Sequence, residues 1–237
     1  MSIQTELGLL KITGEHTKQF LQGQLTCDVN EVTVSQSQLG AHCNPQGRII
    51  SFFRLFTKNG DYYLQMPREL IPIAMSALQK YAVFFKTILT DVSDGSTYAS
   101  DWKKRDIEQG IPAIYPETSE KFLPHDLNLP QLNAVSFTKG CYTGQEIIAR
   151  MQYRGKLKKH LYRATVHTTL PLKRGSDIYL EGKSCGNIVD FCEMDNNRYE
   201  LLVIAQEEDI QTQSLTIDAE KKYFLEVLNP CQKNYEL

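Results

Sequence analysis

The octet Lys139-Gly140-Cys141-Tyr142-Thr143-Gly144-Gln145-Glu146 gathers the residue types best suited to chemistry in this chain. Thr143-Gly144-Gln145-Glu146 fits a capping box, in which the Thr hydroxyl caps the N–H three residues on and the Glu reaches back. A helix is therefore predicted to start here and run through Ile147, Ile148 and Met151. Cys141 then stands beside the positive end of the helix dipole, with Lys139 two residues away. Both influences favour a reactive thiolate over the thiol. Gly140 and Gly144 permit unusual backbone angles or the close approach of a ligand. The plainer alternative is that Cys141 is a small residue in a tight loop-to-helix junction.

Arg150, Arg154, Lys156, Lys158, Lys159, His160 and Arg163 follow as a basic run. It is either a solvated face with cations at a helix C-terminus, or an anion site for a polycarboxylate tail, a phosphate, RNA or an acidic partner. Trp102 is the only tryptophan and borders a Pro-rich segment, so it serves as core or as a stacking surface. His16, His42, His125, His160 and His167 show no metal-ligand spacing, and no metal is expected. His125-Asp126 is a weak acid–base candidate, since adjacent side chains usually point apart. No Gly-rich dinucleotide motif, phosphate-binding loop or nucleophile elbow is present.

Net charge is −2, which predicts no general affinity for DNA or membranes and confines such binding to local patches. The first residues lack the pattern of a secretory signal, and no apolar run approaches a membrane span. The six cysteines form no C-x-x-C pair, which points to reduced thiols in a cytoplasmic protein.

Hydrophobic periodicity predicts an α+β fold. Strand, helix, three strands, helix and strand succeed one another up to Val92, the order of a ferredoxin-like module over 1–93. Pro72 is tolerable only in the first turn of the helix around it. Asp94-Gly95-Ser96 reads as a linker, and a short helix is predicted over Trp102 to Gln109. A Pro-rich segment and the signature helix complete a second unit, 94–155. Short alternating strands from 156 to 237 predict a small C-terminal β-barrel or sandwich.

The octet and the basic stretch after it resemble the signature of the YgfZ family of folate-binding proteins, related to the T-protein (aminomethyltransferase) of the glycine cleavage system. Phe20 to Val29 looks like the family's QGQ-x-T-x-DV segment, and His42 to Arg48 like its central turn. Trp102 to Pro112, Phe122-Leu123-Pro124 and Asn128-Leu129 look like the approach to the signature. The resemblance implies ferredoxin-like modules around a channel, a C-terminal barrel, and a bound tetrahydrofolate or derivative. It also implies a role in maintaining iron–sulfur proteins, including tRNA-modifying enzymes, with those proteins or their assembly machinery as partners. Cys141 maps to the family's functional cysteine and Trp102 to a folate-associated tryptophan. Tyr142, Gln145, Arg150 and Arg154 are the further folate-binding candidates.

Three departures stand out. A second ferredoxin-like half, expected between Val92 and Trp102, has no room here. It is either lost or replaced by a second copy of the chain in a homodimer. Leu7 occupies a position that can carry another folate-contacting tryptophan. Residues 47–54 contain no acid, where the T-protein has its catalytic aspartate, so aminomethyl transfer by that mechanism is not expected. The leading expectation is a folate-binding accessory protein. A folate-dependent one-carbon transferase and a non-catalytic scaffold are the alternatives.

Overall fold

The structure, a computed structural model, describes residues 7–93, 101–154 and 159–230, without the side chains of 154, 229 and 230. The predicted linker at 94–96, together with Lys156, Lys158 and Cys231, lies outside the described residues.

The first unit runs β1 (Leu7–Thr13), α1 (Thr17–Gln24), β2 (Gln38–Cys43), β3 (Ile49–Lys58), β4 (Asp61–Pro67), α2 (Ile71–Ala82) and β5 (Ile88–Asp91). That is the element order expected from the periodicity. Its antiparallel strands lie in the order β2-β3-β4-β1-β5. In β1 inward and outward residues alternate, with Leu10 and Ile12 fully buried. Helix α2 buries Ile71, Ala74, Leu78 and Ala82 along one stripe, and Pro72 falls in its first turn, where no N–H bond is lost.

Helix α3 (Trp102–Glu108) ends in paired bonds at Gly110, whose φ is +70°. Ile111 N–H donates to the Asp106 carbonyl at 2.8 Å and Gly110 N–H to the Ile107 carbonyl at 3.0 Å. This left-handed stop folds the chain back along the helix. After a long stretch of turns comes α4 (Gln145–Arg154).

The last unit holds β6 (Lys159–His167), β7 (Asp177–Leu180), β8 (Lys183–Glu193), β9 (Arg198–Gln206), α5 (Glu207–Gln211), β10 (Leu215–Thr216) and β11 (Glu226–Pro230). The pattern suggested a barrel or sandwich. The six strands instead form one antiparallel sheet, β10-β7-β8-β9-β6-β11, whose end strands do not pair among the described residues. It is a curled half-barrel with a core of its own on one face and the rest of the chain packed on the other.

Strand β9 explains that covering. Leu201, Val203 and Ala205 face the half-barrel's own core, while Leu202 and Ile204 join the core that contains Phe20, Phe53 and Tyr142. A strand buried on both faces needs a continuous apolar run, which Leu201 to Ala205 supplies. In β8 an irregularity between Ile188 and Asp190 inserts Val189, so Val189 joins the core shared with the rest of the chain and Asp190 meets Lys103 of α3.

Asp190 is 1% exposed. Its Oδ1 accepts from Lys103 Nζ at 2.8 Å and from Arg174 Nε at 3.0 Å. Arg174 also donates to Glu117 at 3.2 Å and stacks 3.5 Å from the centroid of the Tyr115 ring. The buried carboxylate is thus met by two cations, and the second of them by the more exposed Glu117, so no interior charge is left uncompensated. Burial pulls the Lys103 ammonium below its ordinary value, and Asp190 opposes that pull. Lys103 belongs to α3, so this cluster fastens α3 to the half-barrel. Asp190→Ala should lower unfolding stability by about 3–5 kcal/mol in urea titrations. Lys222→Ala, which removes only an exposed pair with Glu220, should leave the midpoint where it is.

Candidate functional site

The signature is held against two other segments. Lys139 Nζ donates to the carbonyls of Leu25 and Cys27, at 2.8 and 2.7 Å, and lies 5.1 Å from the Tyr142 ring centroid. Thr143 N–H donates to the Gly23 carbonyl at 3.2 Å, and the Thr143 hydroxyl lies 3.4 Å from Gln24 Oε1. Ser136 N–H reaches the Thr26 carbonyl, and the Thr26 hydroxyl donates to the Ala134 carbonyl. Residues 20–29 are themselves tied together by Gln22 Nε2 donating to Asp28 and Val29 N–H donating to Gln22 Oε1.

Gly144 and Gly47 set the third contact. Both have positive φ, +84° and +75°. A Cβ on Gly144 would stand 2.6 Å from the Asn44 carbonyl oxygen and 3.2 Å from Gly47 Cα, and one on Gly47 would stand 3.1 Å from Ile147 Cβ. The turn at 44–47 and the loop before α4 therefore pack backbone to backbone, which only glycine allows. Asn44 Oδ1 shapes that turn by accepting from the N–H groups of Gln46 and Arg48. So the three motifs singled out in the sequence, at 20–29, 42–48 and 139–146, converge in space.

Several expected roles change here. The helix begins at Gln145, one residue later than a Thr143 cap requires, and the Thr143 hydroxyl meets Gln24 instead. Glu146 is exposed and pairs loosely with Arg150 at 3.8 Å rather than reaching back. Lys139 is buried and turned toward Cys27, with burial lowering its ammonium to about 8. Its charge is engaged inside the fold and not against Cys141. Cys141 is exposed and stands four residues ahead of α4. Tyr142 is buried, its hydroxyl without a hydrogen-bond partner among the described residues, and burial pushes that phenol up. His125 is a buried ring 3.2 Å from Gln152, while Asp126 accepts from Leu123 N–H, so the two adjacent residues do not act as a pair.

Trp102 lies elsewhere. It lines a cleft of about 410 Å³ with an apolar floor that includes Leu7, Leu39, Phe52, Met66 and Ile111. The polar members of the wall are Arg54, Gln65, Arg105, Asp106 and Gln109. None of the octet, nor Arg150, lines it, and the side chain of Arg154 lies outside the described ones. The described side chains of the basic run do not reach it either. Lys159 borders a second cavity of about 370 Å³ with Lys121 and Asp126, and Arg163 is bonded to Glu200. The cleft does contain an acid. Strand β3 lacks one, but Asp106 from α3 sits against that strand, with Arg54 Nη2 donating to its Oδ1 at 2.5 Å. Spacing held the signal for Asp106: it stands one helical turn from Trp102.

Among the described residues no group of three or more His, Cys, Asp or Glu could hold a metal, and no helix is long and apolar enough to cross a membrane. Gly144→Ala should destabilise the protein by about 2–4 kcal/mol, since it adds strain at positive φ to a clash with backbone. Gly140→Ala, with nothing within 4 Å of the added carbon, should be near neutral in the same thermal melts.

No family model matches the chain. It is 28% identical over 259 residues to an uncharacterized protein of Haemophilus influenzae, covering 91% of this chain and 92% of that protein. The 259-residue span exceeds the chain's own 237, so the Haemophilus protein holds residues without a counterpart here. It is 30% identical to the tRNA-modifying protein YgfZ of Colwellia psychrerythraea, over 67% of this chain and 69% of that one. With the protein of the same name from Vibrio atlanticus the identity is again 30%, over 64% and 65%. The glycine cleavage system aminomethyltransferase T of Bartonella henselae superposes with a TM-score of 0.64 at 10% identity, over 98% of this chain and 86% of that one, a likeness of fold alone. Three motifs that meet in one place, on a fold shared with that protein and a sequence shared with these relatives, place the chain in the YgfZ family.

Proposed function

We propose that the chain is a tetrahydrofolate-binding accessory protein that supports iron–sulfur proteins in the cytoplasm, and through them tRNA modification. The observation that carries this reading is the cleft beside Trp102. Its volume of about 410 Å³ lies in the range of small-molecule sites, with apolar walls and a few polar groups on one side. A flat ring system fits such a surface, with Trp102 as its stacking face and Arg54, Gln65, Asp106 and Gln109 as its polar partners. Bound folate would supply a carrier for a one-carbon unit. The chain's own part is to bind and orient the ring and to exclude water from it.

The family membership supports the assignment, since relatives bear the name tRNA-modifying protein. We read residues 1–93 as one ferredoxin-like half, an assignment favoured by the β5-β1-β4-β3 order with β2 added at the edge. Residues 94–155 carry Trp102 and the signature, and 156–237 the half-barrel. The residues present in the Haemophilus protein and absent here agree with the loss of a second half.

Cys141 has a different task from the cleft. An exposed thiol offers a ligand or nucleophile to a partner protein, and iron–sulfur proteins or their assembly machinery are the partners whose chemistry suits it. Folate and partner are thus handled at separate places.

Titration with tetrahydrofolate, following the fluorescence of the single tryptophan, tests the folate part. Saturable quenching is expected in the wild type and in Cys141→Ser alike. Absence of quenching up to millimolar ligand would remove the folate reading.

A further inference from the structure

Helix α3 and its C-cap present one face to the cleft, made of Trp102, Arg105, Asp106 and the capping Gln109. Those residues recur at the spacing of one helical stripe. The opposite positions, Lys103 and Ile107, are taken by Asp190 and by the core. The helix is therefore fixed in rotation, and the four cleft-facing side chains are fixed with it.

Asp106 is the acid of this stripe. Its side chain is 20% exposed, and Oδ1 is occupied by Arg54 at 2.5 Å. Oδ2 takes no hydrogen bond among the described residues. Burial raises the carboxyl above its ordinary value, and Arg54 opposes this and favours the ionised form. An ionised carboxylate only accepts hydrogen bonds. One oxygen of Asp106 is thus an open acceptor, held by an arginine, one turn along the helix from the cleft's tryptophan.

A ligand ring that stacks near Trp102 meets this acceptor along its edge. The matching edge carries donors, such as an exocyclic amino group beside a ring N–H. An edge of carbonyl oxygens alone would face the carboxylate with acceptor against acceptor.

We propose that Asp106 is a specificity-determining residue of the cleft, selecting rings with a 2-amino-4-oxopyrimidine edge, the edge shared by pterins and guanine. Where that ring is a pterin, the assignment rests on the folate reading above. Asp106 recognises the ring through this edge, Arg54 holds Asp106 in place, and the α3 anchor at Lys103 keeps both in register.

The test uses the full chain and Trp102 fluorescence with four compounds: tetrahydrofolate, bare pterin, guanosine and lumazine, in which an oxo group replaces the 2-amino group of pterin. Wild-type protein should bind pterin roughly tenfold or more tightly than lumazine, the scale of a lost hydrogen bond to a charged acceptor. Asp106→Asn should bring the two to similar affinity, with an unchanged melting temperature as the control for folding. Equal affinity of the wild type for pterin and lumazine would overturn the proposal without any variant. So would full discrimination in a folded Asp106→Asn. If tetrahydrofolate and pterin bind without discrimination against lumazine, the Asp106 assignment falls and the folate reading stands. If guanosine alone binds, and does so through Asp106, the folate reading falls and the assignment stands. If no compound quenches, both fall.

Discussion

The buried contact between Asp190 and Lys103 is the constraint on which the rest of this structure depends. A carboxylate 1% exposed is unfavourable in a protein interior unless cations meet it, and here Lys103 and Arg174 both do. The cations come from different parts of the chain, one from α3 and one from the turn before β7. Meeting Asp190 therefore forces α3 onto the half-barrel in one orientation. That orientation decides which side chains of α3 see the cleft. Val189, next to Asp190 in β8, and Ile107, one turn after Lys103 in α3, belong to one buried apolar core, which keeps water from the ion pairs.

A second constraint governs the signature. Gly47 and Gly144 allow two loops to approach closer than any side chain would permit. With Lys139 clamped on Leu25 and Cys27, the octet becomes part of the first unit's surface. Much of its composition is thus explained by architecture: the lysine satisfies carbonyls, the tyrosine fills core, and the glycine permits contact. What architecture leaves unexplained is Cys141, exposed on a loop between the buried Lys139 and Tyr142. Such a residue is a functional candidate because the fold does not use it. The result is one scaffold with two stations, a cleft on one side of β3 and an exposed thiol near the turn that begins it.

The strands and helices of the first unit were legible because their burial follows simple periods, as in β1 and α2. Strand β9 was legible as a strand, but its double burial depends on what packs on each face, which a local pattern does not encode. Asp190 was invisible as a key residue, since an irregularity in β8 turns it inward and a lone aspartate in a strand carries no signal of that. Helix α5 interrupts the strands expected over 156–237, and its five residues are too few to show a helical period. In the signature, Thr143 and Glu146 sit at capping-box spacing, yet a tertiary partner, Gln24, engages the Thr hydroxyl. Lys139 looked like an activator of its near neighbour in sequence, but the carbonyls of Leu25 and Cys27 lie closer to its ammonium in space. The cleft arises from segments far apart in the chain, and Asp106 could be recognised only once α3 was set beside Arg54.

The central claim is that the cleft proposed for folate and the exposed Cys141 are separate stations. Attaching a bulky maleimide to Cys141, with the site of attachment confirmed by mass spectrometry, and then measuring tetrahydrofolate affinity tests this directly. Cys27 and Cys43 are buried and should stay unlabelled. The account predicts that the labelled protein binds with the affinity of the unlabelled one. Loss of binding on labelling at Cys141 alone would show that the two share one pocket, and would contradict it.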